Sequence, residues 1–262
     1  MSIILLLLMA EFVVAKIQSK GNLRVYAGED DLDNEFEFAV SLQFLENNLR
    51  FCTGNLLDNN WVLTTGHCVK NRTPYDMAIR YGDFTQFETN KIAKVFQIII
   101  HPNFAHIHGF NDIAMIMTDR ISGKPFAKLL ALDYKTLFGL PVTFGGFGRT
   151  SEQLRPETRH QILEEQQHPL KVGKGLVIPC ESYEHFKFST LCVAPRCEIA
   201  QQGRSGDAGG PLLYIGRLVG IQRSIVVKRR IRLPITQYIP LSLYVAWIRD
   251  TMKTAVSSTK TN

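Results

Sequence analysis

The sequence predicts an all-β protein, a barrel or pair of barrels finished by one C-terminal α-helix. Three observations predict it. Short apolar runs recur with Gly, Asn, Asp and Pro between them. Several of these runs are apolar on both faces, as strands of a closed core are. Convincing helical spacing occurs once, at Leu243, Trp247, Ile248 and Met252, with Arg249, Asp250 and Lys253 elsewhere on the turn.

In chain order, the predicted strands are 38–45, 50–57, 61–65, 77–81, 94–100, 113–117, 142–147, 161–166, 211–214 and 218–226. Ile215-Gly216-Arg217 reads as a hairpin turn. No internal repeat or low-complexity linker interrupts the series. A length of 262 residues suits one large all-β domain. With 45% hydrophobic and 21% charged residues, the composition excludes disordered, collagen-like and disulfide-dense chains. The net charge of +6 is too small for a dedicated nucleic-acid binder. No apolar run after residue 20 reaches the ~18–20 residues that span a bilayer.

Residues 3–10 form a short apolar core, and Val13-Val14-Ala15 follows with signal-peptidase-like spacing. The positively charged start of such leaders is missing. A buried strand or a membrane anchor is the competing reading, but the run starts at residue 3 and is too short to span. Residues 1–15 therefore read as a signal peptide and the protein as secreted. Removing residues 1–24 leaves a charge of +4. Five cysteines, Cys52, Cys68, Cys180, Cys192 and Cys197, suit an oxidising compartment and lack zinc-site spacing. Asn71-Arg72-Thr73 is an N-glycosylation sequon. His106-Ile107-His108 would share a metal-binding face only as a strand, and Gly109 places it in a loop. No metal and no cofactor are expected.

Three segments carry the chemistry. Trp61 to Val69 runs a strand into Gly66-His67-Cys68. Asn111-Asp112-Ile113-Ala114-Met115 sets an aspartate at the mouth of an apolar strand. Gly203 to Leu213 contains Gly206-Asp207-Ala208-Gly209-Gly210-Pro211, whose glycines permit tight turns that aim N–H groups at one point. Singly, each reads as a structural His, a capping Asp and a hairpin turn.

Together they resemble the trypsin/chymotrypsin-like serine protease family, in the order His, Asp, nucleophile. Val40-Ser41-Leu42-Gln43, His101-Pro102-Asn103-Phe104, Gly146-Phe147-Gly148 and Trp247-Ile248 fall in the same register. The resemblance covers nearly the whole chain. It implies two packed six-stranded antiparallel β-barrels with a C-terminal α-helix over residues 25–262. It makes 16–24 a short propeptide, with an activation cleavage between Arg24 and Val25. The freed Val25 amine would pair with Asp207, since a buried amine without a carboxylate is costly.

The resemblance makes His67, Asp112 and Ala208 the three triad positions, with Gly206 and Ala208 as oxyanion-hole donors. Ala208 stands where the family has serine, and a methyl group cannot attack a carbonyl. Removing the nucleophile in a related mechanism costs about 10⁶-fold in kcat. Ser205, three residues earlier, is misplaced for the role. The specificity pocket also departs from the pattern. Ile225 and Thr236 stand where two glycines line its wall, Gln202 lies at its base, and Arg223-Ser224-Ile225 replaces Ser-Trp-Gly. One cysteine of the pocket disulfide aligns with Arg204. Cys52 and Cys68 match a family disulfide, and Cys180 pairs with Cys192 or Cys197.

The reading is a secreted, catalytically inactive serine protease homologue that binds a protein partner: a protease, a protease substrate or a cascade component. An alternative is an active trypsin-like endopeptidase carrying a Ser-to-Ala substitution at 208. A third is a polyanion module, for a sulfated glycan, using Lys228, Arg229, Arg230 and Arg232.

Overall fold

Alternate residues of a β-strand point to opposite faces, and here both faces of several strands are apolar. In β4 (Trp61–Thr64) and β7 (Ala114–Thr118), Val62, Ala114 and Ile116 face one cluster, while Trp61, Leu63 and Met115 face another. The first cluster fills a barrel. The second lies between two barrels. Double-sided burial is therefore the mark of strands that have a barrel interior on one side and the neighbouring barrel on the other.

The computed structural model describes residues 28–31, 33–84, 90–106, 109–148, 169–180, 189–196, 201, 203 and 206–258 except 227–234. Its strands form two closed antiparallel barrels of six strands each. The first contains β2 (Ala39–Phe44), β3 (Arg50–Leu56), β4, β5 (Met77–Tyr81), β6 (Lys91–Ile100) and β7, ordered β2-β3-β4-β7-β6-β5. Val40, Leu42, Leu56, Val62, Met77 and Ile79 fill its interior.

The second contains β8 (Pro141–Gly146), β9 (Lys171–Ile178), β10 (Leu191–Pro195), β11 (Pro211–Tyr214), β12 (Arg217–Val226) and β13 (Ile235–Pro240). The β8–β9 pairing closes it, and β1 (Glu29–Asp30) adds to the end of β9. Val142, Phe144, Val193, Leu212 and Tyr238 fill its interior. Leu213, Leu218, Ile221 and Ile239 face the first barrel.

The terminal helix, α2 (Val245–Ser258), follows a one-turn helix, α1 (Gly66–Val69), in chain order. Ile248 seals the inter-barrel core, with Trp247 and Met252 partly buried beside it. Leu243 lies outside α2, in the preceding 3-10 turn Leu241–Leu243, and is exposed. The hairpin turn is also shorter than the sequence reading. Ile215 (φ 50°) and Gly216 (φ 63°) form it alone, and Arg217 already pairs with Tyr214. Two residues at positive φ match the right-handed twist of the flanking strands.

Strands β1, β9, β10 and β13 were not predicted. In β13, buried Thr236 and Gln237 break the apolar pattern. In β9, Gly173 and Gly175 do the same, while β10 is short and ends in Pro195. The predicted strand 161–166, the signal peptide and the propeptide lie outside the described residues. Among the described residues, no helix is long and apolar enough to cross a membrane.

Candidate active site

The first barrel supplies His67 and Asp112 from adjacent elements. Strand β4 delivers the chain into α1, which carries His67, and Asp112 ends the loop before β7. Asp112 is 3% exposed and uses both carboxylate oxygens. Its Oδ1 accepts the His67 backbone N–H at 2.7 Å, and its Oδ2 lies 2.7 Å from His67 Nδ1. An ionised carboxylate only accepts, so Nδ1 carries the proton, and in neutral His67 the acceptor nitrogen is Nε2. This is the arrangement that holds an imidazole for proton transfer at Nε2.

Two disulfides join the four cysteines named from the sequence that lie in the described residues. Cys52–Cys68 ties β3 to α1 beneath His67, and Cys180–Cys192 anchors the start of β10. The sulfurs of Cys52 and Cys68 lie within 4.8 Å of a His67 ring nitrogen, but both are already bonded to each other. Cys197 lies outside the described residues. Asn71 is exposed, at φ 60°, in the turn just after α1. Arg72 stacks over Phe44 and Phe51 and donates from Nε to the Cys68 carbonyl.

The second barrel supplies the loop 206–210. Gly206 (φ 98°) and Gly209 (φ 82°) adopt conformations that side chains rarely take. The Thr53 N–H donates to the Ala208 carbonyl and its hydroxyl to the Gly206 carbonyl. The Gly209 N–H donates to Gln222, and the Gly210 N–H to Asp207. These bonds tie the loop to both barrels.

Asp207 is fully buried, and its Oδ1 accepts the Gly148 N–H at 2.6 Å. A side chain on Gly146 or Gly148 would overlap this carboxylate. Burial, and secondarily the Asp207 charge, raise the Tyr238 hydroxyl well above its usual pKa. Arg24 and Val25, the proposed activation pair, lie outside the described residues.

His67, Gly206 and Ala208 line one cavity of about 480 Å³, together with Arg72, Arg223 and Ile225. The structure thus brings together the three triad positions named from the sequence. Among the described residues lining it, Ser224 carries the one hydroxyl, and its Oγ donates to Gln237 at 2.7 Å.

Strands β12 and β13 back one wall of this cavity, which Gln222, Arg223, Ser224 and Ile225 line. Ile225 and Thr236 are direct cross-strand partners in β12 and β13. The Thr236 hydroxyl accepts the Gly203 N–H at 3.2 Å. Gln222 is 2% exposed and lies against Gly203, where a side chain would meet its amide at 2.2 Å. The Tyr238 hydroxyl lies 3.5 Å from Gln222 Oε1. Sequence reasoning missed Gln222 and Thr53. A polar residue in an apolar strand was the available signal for Gln222, and Thr53 had none. Gln202, Ser205, Lys228, Arg229, Arg230 and Arg232 lie outside the described residues, as does His108 of the histidine pair.

Arg223 enters from β12 and crosses to the first barrel. Its Nε lies 3.7 Å from Asp112 Oδ2, and the side chain is 17% exposed. A Cβ on Gly109 would sit 1.6 Å from its Nη2, so the guanidinium lies directly on that glycine's backbone. Burial lowers its pKa, while the Asp112 charge opposes that shift. Arg223 also lines a second cavity of about 360 Å³ behind Asp112, with His101, Asn111 and Tyr244. There the Tyr244 hydroxyl donates to Asn111 Oδ1 at 3.1 Å.

Comparison with known proteins agrees with this geometry. The family model described as Trypsin matches residues 25–248. Chymotrypsin-like elastase family member 1 of Macaca fascicularis is 26% identical, over 88% of this chain and 90% of its own length. Two Anopheles gambiae proteins are each 24% identical over 88% of this chain. CLIP domain-containing serine protease B9 is matched over 64% of its length and serine protease SP24D over 82%. The structure of neuropsin, a serine protease expressed in the limbic system of mouse brain, shares the fold. Its TM-score is 0.68 at 23% identity, covering 86% of this chain and 98% of that one. With the barrels, the His–Asp pair and the glycine loop in register over this span, the chain belongs to the trypsin family.

Proposed function

We propose that this chain is a secreted, non-catalytic member of the trypsin family that works by binding a protein of a proteolytic cascade. The observation that carries this reading is Ala208. It occupies the nucleophile's place in Gly206-Asp207-Ala208-Gly209-Gly210 and shares a cavity with His67, yet offers only a methyl group. Without the attacking oxygen, His67 has no nucleophile to deprotonate. The pocket-wall positions support the same reading. Ile225 and Thr236 stand where the family resemblance puts two glycines, and their β-branched side chains take up space a substrate side chain would need. The fold is retained while the features for engaging a scissile peptide are altered, which suits a competitor for a protease's substrate or a cofactor docked beside a protease.

The test is Ala208→Ser in the chain cut after Arg24, assayed against a mixed peptide library. The reading expects no cleavage above the parent chain while the fold is intact by circular dichroism. Brisk turnover would overturn it and make the protein an endopeptidase lacking one oxygen.

A further inference from the structure

The His67–Asp112 pair is shared with a third group. In β12, Arg223 sends its guanidinium across the barrel boundary to lie 3.7 Å from the same Asp112 oxygen that faces His67 Nδ1. Two features make this contact a built one. Gly109, at φ 66°, leaves its face bare, and the guanidinium occupies the space a Cβ would take. The arginine is also largely screened from water, so its charge acts on Asp112 with less damping than a surface cation. Its Coulomb effect therefore reaches the one carboxylate that orients His67.

A buried aspartate in such a pair has two tasks. It orients the imidazole, and it balances the positive charge the imidazole gains when it takes a proton. The first task is intact here, because both Asp112 oxygens hold His67. The second is compromised, because a cation already faces that carboxylate. A proton arriving at Nε2 would place a second positive charge on one buried aspartate.

We infer that Arg223 is an electrostatic lock on the His67–Asp112 pair, which suppresses proton acceptance at His67 independently of the loss at Ala208. Arg223 is a positioning residue in this account, since it acts through Asp112. The inference deepens the non-catalytic reading and rests on it. It implies that the site is silenced twice, once at the nucleophile and once at the base.

The test uses a small fluorophosphonate, which does not need the specificity pocket. The introduced hydroxyl oxygen bonds to phosphorus, fluoride leaves, and the hydroxyl proton passes to His67 Nε2. Labelling rates are measured for Ala208→Ser alone and combined with Arg223→Met or Arg223→Lys, each checked for an unchanged circular dichroism spectrum. Arg223→Gln replaces Arg223→Met if the latter does not fold. The lock predicts that the neutral substitution raises labelling by about 10²-fold, the low end of general-base effects, while the lysine variant stays as slow as Ala208→Ser.

Equal labelling of Ala208→Ser with and without Arg223→Met would overturn the lock. So would a lysine variant as fast as the neutral one, or no labelling of any variant. Peptide cleavage by Ala208→Ser reports on the parent reading instead. Fast labelling of Ala208→Ser without peptide cleavage removes the lock and leaves that reading standing.

Discussion

The two barrels contribute opposite halves of the cleft, and on the reading proposed above they differ in how far they depart from the family resemblance. On the first-barrel side, His67, Asp112 and the Cys52–Cys68 bridge all stand in working geometry. On the second-barrel side, the proposed reading rests on Ala208, Arg223, Ile225 and Thr236, the positions that the family resemblance sets apart. The difference has a physical basis. Asp112 and the bridge hold up the backbone around α1, so losing them costs stability as well as chemistry. A serine hydroxyl at 208 or glycines at 225 and 236 would hold nothing up, so on the proposed reading their replacement leaves the barrel closed.

The comparison makes graded predictions. Asp207 belongs to the second barrel, yet it is buried and its carboxylate holds the Gly148 N–H, so it should behave like the first-barrel set. Asp207→Ala would leave the Gly148 N–H buried without this acceptor and cost about 3–4 kcal/mol, read from the urea midpoint. A loss under about 1 kcal/mol would show that Asp207 only fills space.

Asp112→Ala should cost about 3 kcal/mol, because His67 loses an acceptor for two groups and the Arg223 guanidinium loses its carboxylate. Replacing the partly buried wall residue, Ile225→Gly, should cost only about 1–2 kcal/mol, mainly the ordinary penalty for glycine in a strand. Equal losses from Asp112→Ala and Ile225→Gly would erase the distinction drawn between the halves.

The smallest effect lies outside the cleft. Ile215 is a β-branched residue at φ 50° on an exposed hairpin tip. Ile215→Asn should raise stability by about 1 kcal/mol, because asparagine tolerates this conformation better. A lower melting temperature would mean that the Ile215 side chain makes contacts that outweigh its backbone strain.

How much of this was legible in the sequence depended on what each residue needs to be recognised. The His67, Asp112 and Ala208 segments were readable because their neighbours are dictated by backbone geometry, as with Gly206 and Gly209. Apolar strands such as β5 and β11 were readable end to end. Strand β13 was not, because its polar residues are buried in service of the cleft wall: Thr236 bonds Gly203, and Gln237 accepts from Ser224. Arg223 stood out as a departure from the resemblance, but its partner did not. The two residues lie 111 positions apart in the chain, and only barrel closure brings β12 beside the loop that carries Asp112. The bare face of Gly109 that receives the guanidinium was equally invisible, since in the sequence it read as one more loop glycine.

The most direct test of the central claim uses the chain as it stands. The protein, cut after Arg24 and checked for folding, is incubated with excess fluorophosphonate and weighed by mass spectrometry alongside a peptide-library assay. The account predicts no covalent adduct at any residue lining the His67 cavity and no cleavage above the blank. A stoichiometric adduct in that cavity, with peptide turnover to match, would contradict it.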